Sequence, residues 1–496
     1  MIPENPRVPE RRPLAATIAR YASSKFYHQA LGAVTAFLRP RLLSPELFGL
    51  WTLLRTVPTY AAYVHLGSRS AMRYSIPRHL ASGDEEKVAS VRDTVFSSSL
   101  VLNLVVAAGL VLAGFVLGFG LEVRVGLAAM AVYALLEFYH DYYVSLLKAH
   151  EKFALITSSR YVEATALFLF TIPLLLWLGL YGLFLSVILV DVLSIAYLRR
   201  SFRPGMRMRF DGAVFRELVA MGFPIMLSDL AFVLVYTSDR WVVSALLAPE
   251  DVGHYGIAIL VVTFLRELPG TAREVIEPRL MGDVERRPAG EVLDEYVFKP
   301  MLVTAYLMPL LLAPVVLALP AAVRLVLPRY EAGIVPSQIL ALGVFFLALA
   351  FPLRAIFVAW NWQRRAALLL LSLLAANLAS SVLFVKLGFG LPGVALASSL
   401  SFAVFFVAMF LLVARRTGWK DPRWRECALA LSVPFPVLCG LAYLAARFVP
   451  GAIGNEFAAA ALSVVLAEAC LIALHRWASG RFPLLPPLRP GRSGPT

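Results

Sequence analysis

Charged side chains set within apolar sequence are the residues of this chain best placed to do chemistry. The cations are Arg20, Lys25, Arg55, Arg240, Arg266 and Arg354; the acids are Glu137, Asp141, Glu163, Asp191, Asp229, Asp239, Glu267 and Glu468. A charge at the centre of a hydrocarbon layer costs roughly 2.5–3.5 kcal/mol even on insertion scales, so such a group faces a cavity, a partner or the interface. Lys25, Arg55, Arg266 and Arg354 come from four different apolar runs, two in each half of the chain, and are read as a cationic substrate-binding set. Arginine offers a planar fork of donors matched to phosphate oxygens, and lysine a compact charge, so the set suits an anionic, diphosphate-like group. Each also has a plainer reading. Arg20 can snorkel to the interface; Arg240 adjoins Asp239, and Arg266 adjoins Glu267 with Glu274 further along, so both can be neutralised inside the protein. Among the acids, Glu137 and Asp141 stand four apart and share a helix face beside His140. A carboxyl in a low-dielectric site can hold a proton near neutral pH, which makes Asp141 and Asp229 the coupling candidates; structural ion pairing is the competing reading.

No other motif carries chemistry. The chain has no phosphate-cradling glycine loop with lysine, no HExxH and no GxSxG, so no catalytic residue, metal site or bound cofactor is expected. Tyr21, Tyr27, Tyr60, Tyr63 and Tyr236, with Ser24, Gln29 and Thr59, are of the types that hold sugars, and equally of the types that form an interface belt. Pro58, Pro173, Pro224, Pro269 and Pro352 fall inside apolar runs, where a missing N–H makes a bending point.

The elements that must position these residues follow from composition. Of 496 residues, 59% are hydrophobic and 16% charged, against roughly 45–50% and about 25% in soluble domains. That excludes a soluble enzyme, a disordered chain and a disulfide scaffold. Cys427, Cys439 and Cys470 fall in late apolar runs without metal or redox spacing. The net charge of +14 is scattered in short runs between apolar segments, a topology signal and not a nucleic-acid surface. Nothing after the Pro- and Arg-rich residues 1–13 reads as a cleavable leader.

Fourteen spans are read, near 17–41, 48–68, 94–117, 123–147, 157–178, 181–198, 217–246, 253–277, 298–319, 336–362, 366–387, 391–414, 427–448 and 455–476. Runs of this length satisfy their backbone in lipid as helices. With the N-terminus placed inside and charges at span ends counted with the adjoining connections, 33 of the 46 Lys and Arg fall on the inside and 7 on the outside, so both termini are expected to be cytoplasmic. LLSPELFGLW at 42–51 and LLAPEDVGHY at 246–255 align without gaps, each in the outside turn between a first and a second span. Spans 1–6 and 7–12 thus read as two copies of one bundle with the same orientation, related by a pseudo-two-fold axis along the membrane normal.

The expectation is an all-α membrane protein of about 14 transmembrane helices. Its parts are an N-lobe (1–200), a basic linker (201–216), a C-lobe (217–414), a basic loop (415–426), two further helices (427–476) and a Pro- and Arg-rich cytoplasmic tail (477–496). The linker, with Arg199, Arg200, Arg203, Arg207, Arg209 and Arg216 around Pro204 and Gly205, reads first as a flexible topology signal and second as a contact for anionic headgroups.

The segments LGAVTAFLRPRLLSPELFGLW, YAAYVHLGSRSAMRYSIPRHLASGDEEK and GFPIMLSDLAFVLVYTSDRWVVSALLAPEDVGHYGIA resemble the Wzx-like polysaccharide transporters of the multidrug/oligosaccharidyl-lipid/polysaccharide exporter superfamily. The resemblance implies two six-helix lobes around a central cavity, with two extra C-terminal helices that in the related lipid II flippase form a groove for the lipid tail. It also implies alternating access that moves a polyprenyl-diphosphate-linked oligosaccharide between leaflets of the cytoplasmic membrane for O-antigen-type polysaccharide assembly. Basic residues on helices 1, 2 and 8 of the lipid II flippase correspond by helix to Lys25, Arg55 and Arg266. Coupling to H+, to Na+ or to the membrane potential would reset the carrier. The expected partners are membrane lipids and the lipid-linked glycan, with a polysaccharide polymerase or chain-length regulator as protein partner and no nucleic acid; the carrier itself is taken as a monomer. A drug/cation antiporter of the same fold, a polysaccharide-assembly membrane enzyme and a scaffold remain the alternatives.

Overall fold

The computed structural model describes residues 14–150, 152–284, 286–418, 422–452 and 455–482, together with Leu485. Residues 1–13, most of the tail from 483 on, and the side chains of Arg20, Tyr21 and Glu274 lie outside the described set. Among the described residues the structure is helical, without strands. In chain order the α-helices are α1 (Leu14–Leu42), α2 (Pro45–Leu54), α3 (Thr56–Ala61), α4 (Ser68–Ala81), α5 (Glu85–Val116), α6 (Leu121–Ala149), α7 (Phe153–Ser201), α8 (Gly212–Val235) and α9 (Asp239–Leu246). They continue as α10 (Pro249–Asp283), α11 (Ala289–Leu293), α12 (Lys299–Val326), α13 (Ile334–Ala359), α14 (Gln363–Lys386), α15 (Gly390–Thr417), α16 (Pro422–Ser432), α17 (Pro434–Ala452) and α18 (Glu456–Arg481).

Ten helical segments among the described residues are long and apolar enough to cross a membrane, which makes this a multi-pass membrane protein. They fall in α5, α7, α8, α10, α11–α12, α13, α14, α15, α16–α17 and α18. The difference from the fourteen spans read from sequence has local causes. The run at 48–68 is broken at Arg55, because Pro58 has no N–H to give the carbonyl four residues back, and again before Gly67, whose φ of +89° a side chain would resist. The runs at 157–178 and 181–198 both fall in α7 but are two helices: at Gly179 (φ 54°, ψ −128°) the chain doubles back, so that the hydroxyls of Thr171 and Ser186 stand 3.4 Å apart. Helix α6 is full-length but carries Glu122, Arg124, Glu137, Asp141 and Lys148.

The chain forms two compact units. The first comprises residues up to Leu38 and Val57–Phe223; the second comprises Arg39–Thr56 and everything from Pro224 on. In the first, α4, α5, α6 and α7 pack around Met72, Ile76, Val95, Tyr142, Leu146 and Leu198. The hydroxyl of Tyr142, buried among Phe96 and Phe138, donates to the carbonyl of Arg92 at 2.8 Å. The start of α8 belongs to this unit: a Cβ on Gly222 would stand 2.0 Å from the carbonyl oxygen of Gly67, so backbone meets backbone there.

Between α7 and α8 the basic linker is held in place, which corrects the expectation of a flexible connection. Arg92 Nη1 donates to the Pro204 carbonyl at 2.6 Å, the Arg207 N–H donates to Asp93 at 3.2 Å, and the Asp211 N–H donates to Thr94 at 3.2 Å. All three anchors sit on the start of α5.

In the second unit α13 is the central helix, packed by α10, α12 and α15. Ala341, Val344, Phe345, Leu349 and Ile356 are 1% exposed or less. Helices α17 and α18 pack on each other and on α12. Arg324 of α12 reaches both Glu331 and Glu456, which ties the start of α18 to the end of α12.

Candidate functional site

The two repeat copies build the same turn with different side chains, and then they touch. Ser44 caps α2 with φ −71° and ψ 159°, its hydroxyl accepting from the Leu47 N–H; Ala248 holds nearly the same backbone (φ −69°, ψ 153°) before α10, where Asp251 accepts from its N–H. Pro45 and Pro249 follow at the first helical position, and Glu46 and Glu250 place carboxylates on the helix N-termini. The Ser44 hydroxyl and its own backbone hold the Glu46 carboxyl below the ordinary range. A Cβ on Gly49 would lie 2.7 Å from the Gly253 nitrogen, and one on Gly253 only 1.9 Å from the Pro45 carbonyl oxygen. The glycine shared by the two copies is therefore what lets α2 and α10 cross in backbone contact. Tyr330 closes the same end: its hydroxyl donates to the Leu43 carbonyl at 3.1 Å and its ring lies on Phe48 and His254.

Three of the four expected cations lie in this second unit. Arg55 caps the end of α2, its guanidinium 5.7 Å from the Trp51 ring. Arg266, in the middle of α10, lies 4.4 Å over Tyr236. Arg354 is 7% exposed in α13, sits 3.6 Å over Phe232 and donates to Asp229 of α8 at 3.0 Å. The residue read as a substrate cation and the one read as a coupling acid are thus a single ion pair. Lys25 is half-buried on α1 in the first unit. Around it α1 docks on α7: Ser23 bonds Tyr161 at 2.9 Å, Tyr27 bonds Thr165 at 3.1 Å, and His28 stands 3.6 Å from Glu163.

Asp141 lines a cleft inside the first unit, with room for about one water, together with Pro58, His65, Arg69, Asn103 and Glu137. Arg69 bridges Asp141 at 3.3 Å and the Ala62 carbonyl at 3.1 Å. The shared face expected for Glu137 and Asp141 is the cleft wall; Arg69, His65 and Asn103 were not foreseen. Arg69 falls just past the run ending at 68, and the signal for it was Gly67, which turns the chain back into the bundle.

A second polar group is buried in the other unit. Asp239, 4% exposed, accepts from the Tyr255 hydroxyl at 2.8 Å and from the Arg240 N–H at 2.8 Å. Ser238 donates to Asn377 at 3.0 Å, and Asn377 in turn reaches Ser401 at 3.1 Å and Ser398 at 3.4 Å. This nest sits among α9, α14 and α15, where each buried polar group needs such a partner. Among the described residues no three His, Cys, Asp or Glu side chains gather as metal ligands.

An all-helical, multi-pass chain with a duplicated turn and arginines within its spans defines a class of membrane protein. Residues 14–268 match the family described as polysaccharide biosynthesis protein, and the chain belongs to that family. The fold is shared with several solved structures. The lipid II flippase MurJ in an inward closed conformation superposes with a TM-score of 0.70 at 14% identity, over 93% of this chain and 99% of that one. An inward-facing multidrug resistance MATE family transporter of the MOP superfamily gives 0.63 at 15% identity, over 82% and 95%. A MOP superfamily transporter from Pyrococcus furiosus, described as having a binding pocket of reverse polarity, gives 0.54 at 15%, over 81% and 95%. At these identities the likeness is one of fold. No curated protein sequence matches the chain significantly.

Proposed function

We propose that the protein is a lipid-linked oligosaccharide flippase of the cytoplasmic membrane, which carries a polyprenyl-diphosphate glycan between leaflets by alternating access without covalent chemistry. The observation that carries this reading is a guanidinium within an apolar span laid over an aromatic ring, Arg266 over Tyr236, with Arg55 beside Trp51 at the end of α2. Such groups favour an anionic headgroup, and the aromatic and hydroxyl side chains near them favour sugar. Membership in the polysaccharide biosynthesis family supports the same substrate class. The proposed topology is fourteen spans in two six-helix bundles plus two, with both termini cytoplasmic and the two repeat turns on the outer face. The Gly49–Gly253 crossing would then be the outer closure that parts when the carrier opens outward. Coupling would use the carboxylates held within the units: Asp141 beside Arg69, Asp229 beside Arg354, and Asp239 in its hydroxyl and amide nest, each able to exchange a partner for a proton or a small cation.

The buried Asp239 nest and the Asp141 cleft also favour a second reading, export of an organic cation in exchange for H+ or Na+. Flipping of a fluorescent polyprenyl-diphosphate oligosaccharide by proteoliposomes separates the two. The flippase reading expects transport by the wild type and its loss in Lys25→Ala, Arg55→Ala and Arg266→Ala with folding intact. Wild-type inactivity on this lipid, together with export of an organic cation, would give the second reading the case.

A further inference from the structure

The turn between α13 and α14 carries a cluster that the transport reading does not use. Trp360 and Trp362 stand with ring centroids 5.5 Å apart on either side of Asn361, whose φ of 56° makes the tight reversal. Into the angle between the indoles comes Arg416 from the last turn of α15, its guanidinium 4.4 Å from the Trp360 ring and 4.5 Å from that of Trp362. Arg365, from the first turn of α14, lies 4.4 Å over Trp362 as well. Arg364 and Arg415 are next to them in sequence, and all four arginines are exposed.

Three features mark this cluster as an anion site and not as a simple interface belt. A guanidinium held by cation–π attraction to an indole does not spend its N–H donors on the contact, and a phosphate can take two of them at once. Among the described residues none of the four arginines has a carboxylate oxygen within 4.0 Å, whereas Arg287, Arg324 and Arg423 do. Finally, α14 begins at this point without a side-chain cap, so no capping side chain takes its first N–H groups. Arg364 and Arg365 stand at the positive end of that helix dipole, where cations are disfavoured until an anion joins them.

We infer that Trp360, Trp362, Arg365 and Arg416, with the start of α14, form a binding site for the phosphate group of a membrane lipid. In the topology proposed above, on which the placement rests, the site faces the cytoplasmic leaflet. Two lipids there share this chemistry: an ordinary anionic glycerophospholipid, and a polyprenyl diphosphate arriving as cargo.

Binding of three probes to the purified full-length protein tests the inference without any transport step, so it stands or falls separately from the flippase reading. The probes are inorganic diphosphate, phosphatidylglycerol and undecaprenyl diphosphate, measured by native mass spectrometry and by titration of tryptophan fluorescence. The expected result is that Arg365→Gln/Arg416→Gln weakens at least one lipid probe by roughly tenfold or more, as two charge-assisted contacts would. Arg365→Lys/Arg416→Lys, which keeps the charge and loses the fork, should fall between. Preference for undecaprenyl diphosphate would assign the site to cargo; equal binding of phosphatidylglycerol would assign it to the bulk leaflet. Retention of inorganic diphosphate by the wild type and not by the Gln variant would show that the phosphate alone is read. Unchanged binding of all three probes in a folded Gln variant would overturn the inference and leave the tryptophans as interface anchors only.

Discussion

Each unit holds an arginine–aspartate pair between two of its helices, and the pairs differ in what surrounds the charge. Arg354 is 7% exposed, lies on the Phe232 ring and meets Asp229 at 3.0 Å, joining α13 to α8. Arg69 meets Asp141 at the longer distance of 3.3 Å, at the rim of a cleft, and shares its donors with the Ala62 carbonyl; the Asp141 side chain is 42% exposed. The first pair is built into the packing of the most buried helix of its unit. Both acids keep solvent access, Asp229 at 37% and Asp141 at 42%; what differs is the arginine, which in the second pair has a further acceptor in the Ala62 carbonyl and in the first lies on an aromatic ring. The surroundings of the arginine, not the burial of either partner, separate the two pairs.

That contrast sets the size of the expected effects. Asp229→Ala removes the carboxylate that meets the buried Arg354 and should cost about 2–3 kcal/mol, read as a fall in the melting temperature of the purified protein. Replacing both partners by leucine should recover most of it; a single variant as stable as the wild type would show that the pair does not hold α8 to α13. Gly253→Ala, which forces α2 and α10 apart, should cost about 2 kcal/mol. Gly440→Ala in α17, where a Cβ meets nothing within 4 Å, is the control and should be neutral or slightly stabilising. Asp141→Asn should cost no more than about 1 kcal/mol, because the asparagine keeps an acceptor oxygen and Arg69 keeps the Ala62 carbonyl. A large loss of stability would reverse the ranking of the two pairs. Tyr27→Phe, which removes one hydroxyl between α1 and α7, should have the smallest effect, about 0.5 kcal/mol.

Much of this was legible in the chain because lipid forces simple patterns. Long apolar runs must be helices, and the duplicated LLSPELFGLW and LLAPEDVGHY turns align by inspection. Helical periodicity also placed Glu137 and Asp141 on one face, which is the wall of the cleft. What could not be read was contact between distant residues. Arg354 and Asp229 were both selected, for different roles, but they stand 125 residues apart and nothing local announces their pairing. The repeat was visible, yet that its two glycines meet each other was not. The Trp360, Trp362, Arg365 and Arg416 cluster was missed for the same reason: Arg416 reaches the turn from α15, some fifty residues later. The basic linker misled in the other direction, since Pro204 and Gly205 suggest flexibility and the three hydrogen bonds to α5 are invisible in sequence.

The central claim is that the carrier selects an anionic, glycan-bearing lipid. The most direct measurement is the leaflet exchange rate in proteoliposomes for one fluorescent polyprenyl oligosaccharide in two forms, joined through a diphosphate or through an uncharged link, with an excess of organic cation present or absent. The account predicts rapid exchange of the diphosphate form alone, unaffected by the cation. Equal rates for both forms, or exchange of neither together with cation export, would contradict it.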